Sequence, residues 1–419
     1  MRILVVGSGG RENAICWKLS QSKRLKKLYC APGNPGISDY ADCIDIKVDD
    51  IDGLCKFALL EKIDLVVIGP EIPLTMGLVD SLQALGIDAF GPNKECAKLE
   101  ESKSFTKHFL ERHNIPTAGY KEVESAKDAI DSIGVFGWPM VIKADGLAQG
   151  KGVIIAEDEK MAKEAIDSIM VKKEFGNSGD KIVVEEFLRG IEASVLCFVD
   201  GDSIIPMESA QDYKKIYDGD LGPNTGGMGS YSPSLIFDRE LEKRIQERIL
   251  NPILDGFKKD ELDYKGILFV GLMISDGDPK VIEFNVRFGD PETQSVLMRL
   301  ESDLLEIMLA VVNNNLRHQE IIWSDKTAIC VVLASEGYPL SYNKGFKITG
   351  LSDLEKDVLA FHAGTIINNR ELETNSGRVL GISCLGENIQ EARKKVYEEI
   401  KKINFDGIAY RKDIGIIVK

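Results

Sequence analysis

The chain has 419 residues, with 52 Lys and Arg against 67 Asp and Glu, so its formal net charge is −15. That length leaves room for roughly two to four domains, and that charge excludes a protein whose main task is holding nucleic acid or an acidic membrane face. Eight scattered cysteines and four dispersed histidines offer no zinc-site spacing, and no apolar run reaches the ~18 residues of a membrane span or heads the chain as a secretion signal, so a reduced, cytoplasmic protein is expected.

Residues 2–6 are a short apolar run ending at Gly7. The pattern then predicts a helix over 13–19 and strands over 28–31, 64–68 and at Ala89-Phe90. These strands run into Pro32-Gly33-Asn34, Gly69-Pro70-Glu71 and Gly91-Pro92. Strands that end in glycine turns and alternate with helices imply a parallel sheet, whose ligands sit beyond the carboxyl ends of the strands.

One long polar helix is predicted over 94–112. A strand over 138–143 leads into a glycine-rich stretch at 145–152, then a strand over 153–156, a helix over 160–171 and a strand over 181–185. A hairpin follows around Asp200-Gly201-Asp202. Residues 212–232 read as a long loop, and a loop of that length inside a compact domain is usually functional. A helix over 239–257, strands over 266–274 and 280–288, and a helix over 302–312 come next. From about residue 323 the pattern is again mixed, with strands over 327–334 and 379–384. Asn388 and Glu391 then have the spacing of a helix cap. Ile389, Ala392, Val396, Ile400 and Ile403 form one apolar face, which reads as packing.

Four motifs carry chemistry. Gly7-Ser8-Gly9-Gly10-Arg11-Glu12 follows a strand and opens a helix. Backbone N–H groups there can receive a phosphate, or the glycines can serve a plain tight turn. Glu12 stands where a dinucleotide fingerprint has its third glycine, which argues against a nicotinamide cofactor. In the second motif, Lys143 precedes Gly146, Gln149, Gly150, Lys151 and Gly152, between two strands. This is no Walker loop. It reads as a glycine flap over a triphosphate, or as a flexible hairpin.

In the third motif, 281–288 alternates, so Glu283, Asn285 and Arg287 share one face while Ile282, Phe284, Val286 and Phe288 share the other. A carboxylate and an amide oxygen two residues apart suit Mg²⁺ with phosphates, and Arg287 could steady a transferring phosphoryl group. An ordinary half-buried strand has the same pattern. Gly289-Asp290-Pro291-Glu292 adds two carboxylates at the same end. The fourth, Glu185-Glu186-Phe187-Leu188 with Glu192 beyond, could read an adenine edge and a ribose, though such residues are common.

Taken in order, these motifs resemble the ATP-grasp ligases and, within them, the phosphoribosylamine–glycine ligase family. The resemblance also takes in Gln211-Asp212, residues 222–229, Phe361-His362-Ala363-Gly364-Thr365 and Arg411-Lys412-Asp413-Ile414-Gly415, and so spans the chain. It implies an α/β and α+β multidomain fold: a parallel α/β substrate domain (1–102), an ATP-grasp core (103–324, with a flap at about 122–192) and a small mixed C-terminal domain (325–419). It implies that Lys103 and Lys143 contact ATP, that 146–152 covers the phosphates, that Glu185, Glu186, Phe187 and Leu188 hold adenine, and that Glu192 holds the ribose. Glu283 and Asn285 match magnesium (or manganese) ligands. Gly9, Gly10, Arg11, Glu12, Pro32, Gly33 and Asn34 fall in the phosphoribosyl site. Asp212, Lys214, Asn224, Thr225, Gly226, Gly227, Arg287, Gly289, Asp290, Pro291 and Glu292 fall where glycine and 5-phosphoribosylamine are expected, with Arg287, Asp212 and Lys143 in catalytic roles.

The implied reaction joins glycine to 5-phosphoribosylamine at the expense of ATP, through a glycyl phosphate, in purine biosynthesis. The expected partners are these small molecules, with no nucleic acid or membrane, and a monomer or at most a weak dimer. The rival readings are a bicarbonate-activating ATP-grasp ligase, an NAD(P)-dependent dehydrogenase and a non-catalytic nucleotide sensor. Three positions depart from the family pattern. Asn13 and Tyr213 stand where His is usual, and Val270-Gly271-Leu272 lacks a carboxylate found in many ATP-grasp enzymes.

Overall fold

The computed structural model describes residues 1–147 and 152–416. The N-terminal sheet is parallel and five-stranded, in the order Asp42–Cys43, Lys27–Pro32, Arg2–Gly7, Leu65–Ile68, Asp88–Phe90. Ile3, Leu4, Val5 and Val6 are all fully buried. A strand covered on both faces must be apolar at every position, which is why this run does not alternate.

The predicted polar helix over 94–112 is in fact two helices, Lys94–Glu101 and Lys103–Arg112. Ser102 breaks it. Its backbone is extended and its hydroxyl accepts from the Phe105 N–H, starting a new helix. Ser102 Oγ also donates to Asp145 at 3.0 Å. The same carboxylate accepts from the Ser104 N–H at 3.1 Å, tying the root of the glycine flap to the helix start.

The central antiparallel sheet runs Ile204–Pro206, Ile191–Asp200, Lys265–Ser275, Asp278–Asn285. A separate four-stranded sheet, Tyr120–Val123, Ile182–Glu186, Met140–Ala144, Val153–Ala156, lies in the stretch expected as the flap and has its own small core. The helix expected over 160–171 ends at Ile166 and continues as a wider π-type turn. Another such turn, Gln246–Leu250, interrupts the helix expected over 239–257.

The segment expected as a loop over 212–232 carries strands. Gln211–Asp212 and Gly229–Ser232 join the C-terminal sheet, whose order continues Thr327–Ser335, Arg378–Gly386, Val358–His362, with Ile408–Ala409 beside Thr327–Ser335. Between them Lys215–Tyr217 pairs with Leu221–Asn224. Glycine and proline obscured these short strands in the sequence, and Gly229–Ser232 finds its partner in the C-terminal sheet about a hundred residues downstream. Among the described residues, no helix is long and apolar enough to cross a membrane.

Candidate active site

A cavity of about 490 Å³ opens where the carboxyl edge of the first sheet, the central sheet and the C-terminal sheet meet. It gathers Gly9, Arg11, Glu12, Lys103, Gly146, Gly152, Asp212, Lys214, Thr225, Gly226, Glu283, Asn285, Arg287, Gly289, Asp290 and Glu292. These residues come from motifs almost three hundred positions apart.

Glu12 explains the first loop. Its carboxylate accepts from the Gly9 N–H at 2.6 Å and pairs with Arg11 at 2.6 Å. A Cβ on Gly7 would lie 2.4 Å from the Glu12 side chain, and one on Gly69 2.1 Å from it. Both glycines therefore make room for this buried carboxylate, which fills the space a dinucleotide fingerprint leaves open. Arg11 also donates to the Phe288 carbonyl at 3.1 Å, joining the first domain to the end of the central sheet.

Gly10, Pro32, Gly33 and Asn34 do not line the cavity; Pro32 and Gly33 pair with Gly7, which does. Asn34 spends its amide on the Ser8 carbonyl at 2.8 Å and the His362 carbonyl at 2.7 Å, and accepts from the Ile37 N–H. Asn13, one of the departures, accepts from the His362 N–H at 2.7 Å. It thus joins the first domain to the last. Gly227 is required by packing, since a Cβ there would lie 2.4 Å from Pro291. Asn224 pairs with Lys215 in the hairpin. Gln149, Gly150 and Lys151 lie outside the described residues.

The strand Asp278–Asn285 does not alternate throughout. Gly271 pairs with Glu283 but Leu272 pairs with Val281, so Ile282 is a bulge. The bulge aims the Ile282 carbonyl at Lys143, 3.3 Å away. Beyond it alternation resumes, with Phe284, Val286 and Phe288 buried and Glu283, Asn285 and Arg287 half-buried toward the cavity. The residue opposite Glu283 is Gly271, where a Cβ would already approach Glu283 at 3.2 Å.

Charge in the cavity is finely divided. Burial disfavours ionisation of Glu283, yet Lys214, Lys103, Lys143 and Arg287 together hold its carboxyl down at about 2. Arg287 pairs with Glu71 at 3.1 Å and Glu100 at 3.0 Å. Lys214 pairs with Glu192 at 2.9 Å and sits 3.9 Å from Glu283. Asp212 is pushed up to about 6 by burial, with Glu192 and Glu283 adding and Lys214 opposing. Burial and Asp212 push Glu292 up to about 8. Asp290 is held below its usual range despite burial, because Arg378 and Arg11 face it.

Glu185 is clamped between Lys143 at 3.0 Å and Lys107 at 3.1 Å, at the inner edge of the flap. Glu186 stays beside Gly119, accepting from its N–H at 3.2 Å. Phe187 and Leu188 are partly exposed where that strand ends.

Several residues here were not assigned from the sequence. Glu71 was visible as part of Gly69-Pro70-Glu71, without a role. Glu100 and Lys107 lie in the polar helical stretch and gave no signal. Arg378 follows Gly377 at the start of a strand and was passed over; it donates to the Gly226 carbonyl at 2.7 Å and the Asp290 carbonyl at 2.9 Å.

The C-terminal motif anchors the segment 213–220. The Arg411 side chain is 1% exposed. It donates to Asp413 at 2.7 and 2.6 Å, to Asp220 at 2.7 Å and to the Lys215 carbonyl at 3.0 Å, and lies 4.8 Å over the Tyr213 ring. Tyr213, the second departure, accepts from the Gly415 N–H and belongs to this joint. Arg411→Ala is expected to cost about 1–3 kcal/mol in urea unfolding, because it removes a buried guanidinium that bonds Asp413, Asp220 and the Lys215 carbonyl and packs on Tyr213. A loss within ~0.5 kcal/mol would remove Arg411 as the anchor.

Residues 1–100 match the N domain of phosphoribosylglycinamide synthetase, residues 101–293 its ATP-grasp (A) domain and residues 328–416 its C domain. The chain belongs to the phosphoribosylglycinamide synthetase family. Phosphoribosylamine–glycine ligase of Caldanaerobacter subterraneus subsp. tengcongensis is 49% identical over 99% of this chain and 99% of that one. The crystal structure of phosphoribosylamine–glycine ligase from Thermotoga maritima superimposes with a TM-score of 0.87 at 34% identity, covering 99% of this chain and 100% of that chain. A biotin carboxylase from Campylobacter jejuni shares the fold at a TM-score of 0.76, with 17% identity, over 99% of this chain and 94% of that chain. The phosphoribosylglycinamide synthetase architecture is thus present from end to end, as three domains around one cavity. ATP-grasp proteins in general use ATP with a divalent metal.

Proposed function

We propose that this chain joins glycine to 5-phosphoribosylamine, giving glycinamide ribonucleotide, ADP and phosphate. The observation that carries the reading is the single cavity in which the Glu283–Asn285 pair, Arg287 and the Asp212–Glu292 carboxylates meet the first-domain glycine loop. No feature of that cavity favours bicarbonate activation, and the Glu12 carboxylate fills the turn that a nicotinamide dinucleotide would need open.

The donor set fits Mg²⁺ or Mn²⁺. Glu283 is ionised well below neutrality and Asn285 offers an amide oxygen from the same strand face. A metal held by Glu283 and Asn285 would supply charge neutralisation for the phosphates. In the first step a glycine carboxylate oxygen bonds the γ-phosphorus and ADP leaves. In the second, the phosphoribosylamine nitrogen bonds the glycyl carbon, phosphate leaves and the nitrogen sheds a proton. Arg287 steadies the phosphoryl oxygens. Asp212, poised near neutrality, orients the amine, and Arg378 with the first-domain loop holds the sugar phosphate. Closure of the flap keeps water from the acyl phosphate.

ADP release with ATP, Mg²⁺, glycine and freshly generated phosphoribosylamine, each omitted in turn, tests the reading; turnover that ignores glycine sinks it. Lys143→Ala is expected to raise the KM for ATP or slow phosphoryl transfer by on the order of tenfold to a hundredfold. Unchanged ATP kinetics would take Lys143 out of the site.

A further inference from the structure

We propose that Lys107 is a positioning residue for the nucleotide. It holds one side of Glu185 so that Lys143, on the other side, keeps a net positive charge for a polyphosphate. The inference rests on the ATP-binding reading above and names a residue outside every motif that supports it.

Lys107 lies one helical turn after Lys103, on the helix Lys103–Arg112. It is 2% exposed, Glu185 3% and Lys143 4%. The Lys107 ammonium donates to Thr117 Oγ1 at 2.9 Å and the Ala118 carbonyl at 3.2 Å, and pairs with Glu185 Oε2 at 3.1 Å. Those two hydrogen bonds fix it in place, with the Tyr120 ring 5.5 Å away. The other carboxylate oxygen faces Lys143. Lys143 stands 3.0 Å from Glu185 Oε1, yet among the described residues no donor is aligned for a hydrogen bond to that atom.

The triad thus holds two cations and one anion in a dry setting. Buried charge is costly unless balanced, and the cost is visible. Burial, with repulsion from Lys143 added and Glu185 opposing, brings the Lys107 ammonium down to about 8. A phosphate oxygen arriving at Lys143 supplies the missing negative charge. Without Lys107, Glu185 would neutralise Lys143 alone, and the triad would have nothing left for a phosphate.

The test is charge arithmetic, read by calorimetric titration of the full-length chain with ADP and Mg²⁺. Lys107→Met takes the triad from one net positive charge to none, and the Kd for ADP should rise by on the order of tenfold or more. Lys107→Arg keeps one net positive charge, and its Kd should stay within about threefold of the unmodified chain. In turnover, Lys107→Met should raise the KM for ATP more than it lowers kcat, and leave the KM for glycine in place. A purely structural lysine would lower the folded fraction without that split. A folded Lys107→Met chain that binds ADP within about twofold of the unmodified chain overturns the inference, as does a folded Lys107→Arg chain that binds no better than Lys107→Met. Where Lys107→Met does not fold, Lys107→Gln, which removes the charge but keeps a donor for Thr117 and the Ala118 carbonyl, takes its place, and ADP binding within about twofold in that variant overturns it. The titration needs no glycine, so failure of the ligase reading would appear separately, as turnover in the unmodified chain that ignores glycine.

Discussion

Glu283→Gln is expected to lower magnesium-dependent turnover by about 100-fold or more while the chain still folds. Gln keeps the shape of the side chain but cannot carry the charge that four cations converge on. Lys214, Lys103, Lys143 and Arg287 hold the Glu283 carboxyl at about 2 against the penalty of burial. A carboxylate depressed in this way stabilises the fold above its ordinary range, and loses that contribution as pH falls through about 4.5 toward 2. Gln does not titrate. The gap in melting temperature between the two proteins should therefore be present at neutral pH and narrow as the buffer is taken below about pH 4. Activity measured across a Mg²⁺ series is the deciding readout. Turnover of Glu283→Gln that matches the unmodified chain at limiting Mg²⁺ would remove Glu283 as a ligand.

What the sequence revealed, and what it hid, follows from the range of the forces involved. Strand-end glycines in the first hundred residues announced a parallel sheet, because continuous apolar runs and tight turns are local properties. The alternation after Val281 announced the face that carries Glu283, Asn285 and Arg287. The bulge at Ile282 was not legible, since it is set by the register with Leu272 and Gly271 on the neighbouring strand. The break at Ser102 was in principle legible from a serine cap, but the flanking residues are good helix formers, and Asp145 from the flap contributes to that junction. Strand Gly229–Ser232 was hidden because it is paired to the distant Thr327–Ser335, and Gln211–Asp212 because it in turn pairs with Gly229–Ser232. The same rule covers the site. The motif residues that line the cavity were named from strand spacing and from the family resemblance, whereas Glu71, Glu100, Lys107 and Arg378 meet partners far away in sequence.

Arg287→Ala should damage both chemistry and stability, and the two can be separated. Arg287 is the point where three parts of the chain meet: its guanidinium reaches Glu71 beyond the first sheet, Glu100 at the end of a helix, and the Asn285 amide oxygen at 3.3 Å. Glu100 is 4% exposed, and its other oxygen accepts from the Val286 N–H at 2.7 Å. Burial already raises the Glu100 carboxyl above its usual range, with Arg287 the largest opposing influence. Removing the guanidinium leaves that carboxylate without its main counter-charge, and breaking a buried pair from one side typically costs about 3–5 kcal/mol. The same change removes a donor from the position where phosphoryl charge would develop, which costs about 10²–10³ in turnover. Arg287→Lys separates these effects. A single ammonium can neutralise Glu100 but cannot also span to Glu71 with the fixed fork of a guanidinium. Its melting temperature should recover most of the loss, while kcat stays low. If Arg287→Lys recovers kcat together with stability, the arginine is a structural tie between domains and its place in phosphoryl transfer is lost. If Arg287→Ala keeps turnover within about tenfold, the same conclusion follows directly.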